Sequence, residues 1–368
     1  MAKYTCEKCG MEFKHKSHYS QHTLRKTPCI RKVPNALAVP MPPYTFIEVC
    51  AGGGGLSSGL MHAGFVPLLL NDNNKDCCET LKKNHLGANV VCASMDALKL
   101  DAYIGKVDLL TGGVPCQSFS QAGLRKGLKD PRGELMLKFA DMLVILKPTM
   151  FMIENVKGLL THNEGKTLTE IIGLLNKDDL YHVEYKVLNA ANYSVPQKRE
   201  RVFIVGILRE KNLLFNFPLP NEDKIVLKNV MQNVPPSPCA KYNAEKIRLF
   251  KLIPQGGCWI NLPEEEQKTY LGKSYLSGGG KRGILHRLSL EKPALTLLCT
   301  PSQKQTERCH PLEERPLTVR EYARIQTFAD DYHFHGSVAS QYKQIGNAVP
   351  VELARHMGWC LMQALIAR

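Results

Sequence analysis

The apolar pentapeptide Thr45-Phe46-Ile47-Glu48-Val49 runs straight into Cys50-Ala51 and four consecutive glycines, Gly52 to Gly55, and then into a helical pattern. A short buried strand, a glycine turn and a helix together form the opening unit of an α/β sheet. The rhythm persists. Strand-like runs stand at 65–70, 107–113, 150–156, 181–193 and 201–208, and helix-like spacing at 56–64, 76–84, 133–146 and 167–177. Alternation of this kind calls for an open, mostly parallel sheet with helices on both faces. Residues 216–315 break the pattern with many prolines and the SGGGKRG stretch, and read as a loop-rich unit. Helical spacing returns at 319–329 and in an amphipathic closing helix at 351–367.

Glycines are needed where a ligand is contacted by backbone, because a Cβ would block the approach. The strict dinucleotide pattern fits no register of this turn, and Gly59 is followed by Leu60 rather than by the Lys of a phosphate loop. Asp72 lies 20 residues after Gly52, where an acid holds ribose hydroxyls. A nucleoside without pyrophosphate fits best, and S-adenosylmethionine is such a ligand. The competing reading is a tight turn needed only for packing.

Three further segments carry chemistry. Gly112-Gly113-Val114-Pro115-Cys116 follows a strand, and a fixed cysteine at a strand's carboxyl end is a nucleophile if its thiol is activated. Glu154-Asn155-Val156 closes the apolar Met150-Phe151-Met152-Ile153, on the same rim, where burial raises a carboxyl pKa and suits it to donate a proton. Gln197-Lys198-Arg199-Glu200-Arg201 places two arginines on one face of a strand, an arrangement suited to a phosphate or a base carbonyl. Taken singly, each has a plain alternative: a structural thiol, a helix-terminal acid, a solvated edge strand.

Charge adds a partner class. Lys and Arg number 48 against 34 Asp and Glu, a net +14 that points to a polyanion such as nucleic acid. Residues 1–33 hold eight Lys and Arg against two Glu. No apolar leader is visible in MAKYTCEKCG and no long uncharged apolar run occurs, so neither secretion nor a membrane span is expected. An intracellular, monomeric protein is expected, and its 13 cysteines are read as reduced.

Together these segments resemble the DNA (cytosine-5) methyltransferase family of the restriction-modification type. The resemblance covers nearly all of 45–368, with six motifs in the family's order: EVCAGGGGL, GGVPCQSFSQAG, ENV, QKRER, RPLTVREYARIQTF and QIGNAVP. It implies a Rossmann-like S-adenosylmethionine-dependent domain formed by 45–215 and 316–368, split around a target-recognition region at 216–315. It implies that Cys116 attacks C6 of a flipped cytosine in double-stranded DNA, that Glu154 contacts N3, and that Arg201 with Arg199 holds the base carbonyl and adjacent phosphate. Contacts to S-adenosylmethionine are implied at Cys50, Gly53, Gly55, Asp72, Asn73, Pro115, Leu135, Asn347 and Val349. They are also implied in the third motif around Ser94-Met95-Asp96, where either Ser94 or Asp96 fills the family's acidic position. Lys281, Arg282, Arg287 and Lys304 are expected at phosphates and guanines. Cys50 stands where the family usually has Phe, and Ala329 where it often has Pro. The nearest rival is a tRNA cytosine methyltransferase of the same fold, and a rival of another class is an inactive DNA-binding homologue. The size of 216–315 favours DNA.

The first 32 residues read as a separate zinc-finger-like module, joined by a proline-rich linker at 33–44. Cys6-x2-Cys9-x12-His22 matches a zinc finger up to its third ligand, and Cys29 after six residues completes the set Cys6, Cys9, His22, Cys29. A module this short has no core of its own and needs metal to fold. His15 and His18 compete as ligands, and a metal-free basic tail is the alternative.

Overall fold

The computed structural model describes residues 4–6, 12–24, 43–115, 131–276, 283–304 and 307–367. Two compact units result, Met1–Pro43 and Tyr44–Arg368. The first contains strands β1 (Tyr4–Thr5) and β2 (Glu12–Phe13), paired antiparallel, and helix α1 (Lys16–Leu24). Cys6 and His22 are both buried there, and the His22 ring lies 4.9 Å from that of Phe13.

The second unit opens with β3 (Thr45–Val49), α2 (Gly55–His62), β4 (Val66–Asp72), α3 (Lys75–Asn84) and β5 (Val90–Cys92). It continues with β6 (Leu109–Gly112), α4 (Pro131–Leu146), β7 (Met150–Val156), α5 (Lys166–Leu175), β8 (Tyr181–Asn189), β9 (Gln197–Lys198) and β10 (Glu200–Leu208). Seven strands form one sheet in the order β5-β4-β3-β6-β7-β10-β8. The first five are parallel; β10 is antiparallel to both of its neighbours. Strand order reverses between β3 and β6, and ligands of open α/β sheets bind at such a switch, outside the carboxyl ends.

Side-chain alternation divides the sheet between two cores. Phe46, Met150, Met152, Phe203 and Val205 face one; Ile47, Phe151, Ile153, Val202 and Ile204 face the other. Strands buried on both faces are apolar throughout, which is why they read as continuous runs. Full burial of each large side chain contributes about 1.5–3 kcal/mol. On the first face α2 lies against α10 (Val351–Ile366), with Leu60, Leu353, Met357 and Leu361 in the seam.

The 216–315 segment departs from its loop-rich reading. It contains α6 (Ala244–Lys251) and α7 (Glu264–Leu271), and β11 (Ala294–Leu295), which pairs parallel with β9. Two turns of helix give too little period to register in a sequence pattern; the Asn243 cap on the Lys246 amide is the stronger local signal. Tyr242, Leu249, Phe250, Leu262, Leu271 and Leu285 form a small core within it. After α8 (Val319–Ile325) the chain forms a helix that the sequence pattern did not reveal, α9 (Val338–Asn347), capped by Ser337 on the Ser340 amide. No helix among the described residues is long and apolar enough to cross a membrane.

Gly59 of α2 has no room for a side chain. An ideal Cβ there would collide with Ala354, the Val351 carbonyl and the Arg355 amide of α10. Gly59→Ala should therefore push α10 off the sheet and cost about 1–3 kcal/mol, seen as a lower denaturation midpoint. An unchanged midpoint would mean that this seam is slack.

Candidate functional site

A cavity of about 620 Å³ opens at the carboxyl ends of β3, β4, β6 and β7. Its floor is the glycine turn. Cys50, Gly52 and Gly54 all have left-handed backbone, with φ of 53°, 56° and 80°. Such a conformation is strained for Cys50 and easy for the glycines. The glycines also answer to packing. A Cβ on Gly54 would strike Tyr332 and His85, and one on Gly55 would strike the Val349 carbonyl. Tyr332 Oη donates to the Gly53 carbonyl at 2.9 Å and fixes the turn from below.

Asp72 closes one wall. Its Oδ2 accepts from the Gly52 amide and its Oδ1 from the Asn74 amide, both at 2.8 Å. These bonds orient the carboxylate and leave each oxygen a second lone pair. Glu48, nearly inaccessible at 1% exposure, also lines the cavity, and its Oε2 has no hydrogen-bond partner. Burial pushes its carboxyl up to about 8, with Ser57 pulling the other way. Burial likewise pushes the Cys50 thiol up to about 12, so it remains an apolar wall, 3.9 Å from Met95 Sδ.

Glu154 stands opposite, at the end of β7. Burial raises its carboxyl above the ordinary range, while Arg201 and Arg199 oppose that rise. Arg201 Nε lies 2.9 Å from Glu154 Oε1, yet that oxygen accepts no hydrogen bond of proper geometry. The pair is thus in ionic contact with acceptor capacity to spare. The loop after β6 is tied to β7 by Asn155 Nδ2, which donates to the Val114 carbonyl at 2.9 Å. Pro115 lines the cavity and Cys116 is the next residue, outside those described.

Of the expected residues, Cys50, Gly55, Asp72, Asn73, Ser94, Met95, Pro115, Leu135, Glu154, Asn347 and Val349 line this one cavity. Ser94 rather than Asp96 faces it; Asp96 is paired with Lys138. Gly53 does not line it, being turned toward Gln344. Cys9 and Cys29 lie outside the described residues, and among those described no group of three or more acids, histidines and cysteines is placed to hold a metal.

Arg199 requires correction. The strand breaks at this residue, between β9 and β10, so it does not share a face with Arg201 by simple alternation. It is 1% exposed, and its guanidinium donates to the carbonyls of Leu297, Gly346 and Ala348 at 3.1, 2.9 and 3.1 Å. With these donors committed to backbone, it is a structural tie, not a ligand for a base or phosphate. Arg287 is also corrected: it is buried and donates to Phe250 and Pro311 carbonyls and to Glu314. Lys304 donates to the Tyr270 carbonyl, and Lys281 and Arg282 lie outside the described residues.

Sequence reasoning missed Glu48, Asn71, Cys77, Ser340 and Lys343, which line the cavity too. A carboxylate inside an otherwise apolar strand was the available signal for Glu48. Ser340 and Lys343 depend on α9, whose period was hidden.

A mostly parallel sheet has a cavity of about 620 Å³ at its switch point, with glycines below, Asp72 on one wall and the buried Glu154 on another, the place where open α/β folds bind ligands. Residues 44–361 match the family described as C-5 cytosine-specific DNA methylase. The chain is 46% identical over 329 residues to the Type II methyltransferase M.Sau96I of Staphylococcus aureus, covering 88% of this chain and 76% of that protein. It is 45% identical to M.PspPI of Psychrobacter, covering 88% and 80%, and 43% identical to M.Eco47II of Escherichia coli, covering 88% and 79%. Among solved structures, a prophage-encoded E. coli protein aligns with a TM-score of 0.66 at 22% identity, over 88% of this chain and 99% of that one. The Entamoeba histolytica methyltransferase EhMeth aligns at 0.62 and 18%, over 88% and 99%. These two likenesses speak to the fold. The chain belongs to the C-5 cytosine-specific DNA methylase family and is a DNA cytosine-5 methyltransferase. S-adenosylmethionine is the cofactor of that family.

Two outcomes follow from the buried charges. Glu48 has a carboxyl of ordinary pKa, 4.5, when unfolded and about 8 when folded. Between those values the folded chain binds more protons, so this group makes stability fall as pH rises through the window. Glu48→Gln should flatten that part of a stability–pH curve; an unaltered curve would show that Glu48 ionises normally. Arg199→Met should cost about 3–5 kcal/mol by orphaning buried carbonyls, seen as a lower denaturation midpoint; an unchanged midpoint would mean that these carbonyls find other donors.

Proposed function

We propose that this chain methylates C5 of a flipped cytosine in a defined sequence of double-stranded DNA, through a covalent bond between Cys116 and C6. The observation that carries this reading is Glu154: a buried acid with a raised pKa, in ionic contact with Arg201, lining a cavity that Pro115, the residue before Cys116 in sequence, also lines. Glu154 holds its proton against the ring N3 and makes C6 electrophilic; the Cys116 thiolate adds there, and C5 becomes nucleophilic. Arg201 orients Glu154 and takes the base carbonyl. C5 would take the methyl that bound S-adenosylmethionine supplies; loss of the C5 proton to a base and elimination across C5–C6 then free Cys116. The base must leave the stack, because its faces are covered in a duplex.

The cavity suits S-adenosylmethionine on its own evidence. Glu48, in its lining, has a buried oxygen without a hydrogen-bond partner. Asp72 would hold the ribose hydroxyls, Ser94 and Met95 with Cys50, Asn73, Pro115 and Leu135 the adenosine walls, and the glycine turn with Asn347 and Val349 the amino-acid end. The bound molecule supplies the methyl group.

Residues 45–215 and 316–368 would be the catalytic part and 216–315 the target-recognition part, consistent with the small core found inside the latter. Residues 1–32 would be a finger holding one structural zinc through Cys6, Cys9, His22 and Cys29, followed by a linker at 33–44. Support comes from the paired β1 and β2 followed by α1, with Cys6 and His22 the two buried side chains among the described residues of that unit.

Full-length protein with labelled S-adenosylmethionine should label duplex DNA, and Cys116→Ala should abolish it. 5-Fluorocytosine DNA should trap a covalent adduct with the unmutated chain alone. Glu154→Gln should lower turnover by about 10²–10⁴-fold. Label on tRNA only, or no adduct with active enzyme, would overturn the reading. Metal analysis should find about one zinc per chain, lost on deleting residues 1–32; no zinc in the intact chain removes the finger.

A further inference from the structure

The walls of the cavity are unbalanced in charge. Glu48, Asp72 and Glu154 all line it, and among the described residues Lys343 is the one basic side chain that does. S-adenosylmethionine carries a carboxylate at its amino-acid end. Acidic walls suit the sulfonium and α-ammonium of that molecule, but its one carboxylate needs a cation or several amides to receive it. Burial lessens the problem by holding Glu48 and Glu154 toward their neutral forms, but supplies no counter-charge.

The placement of Lys343 is fixed from behind. Its neighbour Gln344 accepts from Thr80 Oγ1 at 2.6 Å and donates to the His335 carbonyl at 2.8 Å. Ser340 Oγ donates to Asp76 Oδ2 at 2.6 Å. These bonds bolt α9 onto α3. Ser340, Lys343 and Asn347, spaced three and four apart, then share one helix face, and all three line the cavity. The lysine head is exposed and makes no ion pair among the described residues. Asp72 accepts from two backbone amides and Asp76 from Ser340, and neither is ion-paired with Lys343. The root is held by these bonds, the ammonium has no ion pair among the described residues, and Gly53 lies against Gln344, next to Lys343 in α9.

We propose that Lys343 is a cofactor-binding residue whose ammonium receives the carboxylate of S-adenosylmethionine. It thereby distinguishes the complete molecule from nucleosides that lack the amino-acid end. The inference rests on the reading of this cavity as the S-adenosylmethionine site. A DNA phosphate is the other anion that could reach an exposed lysine, and the binding measurement is made without DNA to separate the two.

The test is calorimetric titration of the full chain with S-adenosylhomocysteine, which keeps the carboxylate, and with 5′-methylthioadenosine, which lacks the whole amino-acid end. Lys343→Ala should weaken S-adenosylhomocysteine by about three- to tenfold and leave 5′-methylthioadenosine unchanged. Lys343→Arg should retain most of the difference. An equal change for both nucleosides, or no change for either, overturns the role of Lys343, even if the variant binds DNA more weakly. If the unmutated chain binds neither nucleoside, the assignment of the cavity itself fails, a distinct result.

Discussion

The guanidinium of Arg199 binds three stretches of chain that are far apart in sequence. Its bonds reach Leu297, at the start of the return from the 216–315 segment, and Gly346 and Ala348, on either side of Asn347. Burial pushes its pKa down to about 9, still charged at neutral pH, with Glu154 offsetting part of the cost. A fully buried cation is tolerated only when its donors are met, and carbonyl oxygens that would otherwise be orphaned meet most of them here. The consequence reaches the site. Asn347 and Val349 line the cavity because the bend between α9 and α10 is held from inside by this side chain. The same bend presses the Val349 carbonyl against Gly55, so the glycine turn at one end of the domain is shaped by an arginine from the middle and a helix from the end.

Much of this was legible in the sequence because the relevant signals are local. Apolar runs with glycine endings gave the strands of the parallel sheet, and the acid closing Met150-Phe151-Met152-Ile153 marked the cavity wall. The failures also share a cause. Alternation along 197–208 assumes an unbroken strand, but the chain leaves one pairing, with β11, and enters another, with β7 and β8, at Arg199. That change depends on a partner about 100 residues away, which no local pattern encodes. The helix α9 was hidden for a similar reason: its buried side meets Thr80 and Asp76 of α3 through polar groups, so the helix is held by hydrogen bonds where a hydrophobic period was sought.

The net charge of +14 is also less available than it looks. Arg287 is committed to Glu314 and two carbonyls, Arg315 to Glu313 and Glu321, and Arg324 to Asp330 and carbonyls of residues 230–233. In this part of the chain arginine fastens loops that have little regular structure of their own. Its planar fork can satisfy several backbone oxygens at once, as lysine cannot. A count of basic residues therefore overstates the surface offered to phosphates, and the arginines of an irregular segment are the first to be discounted.

The cavity shows the complementary economy among acids. Three carboxyl groups line one space, which would be strongly repulsive if all were ionised. Asp72 accepts from two backbone amides, whereas Glu48 and Glu154 are pushed toward protonation by burial. Environment thus distinguishes three similar groups: one oriented by backbone amides, and two whose burial favours the protonated form. Under the proposed reading, a group that accepts hydrogen bonds from a ribose and a group that lends a proton to a ring nitrogen would share one chamber. The chain obtains both from the same functional group by varying only what surrounds it.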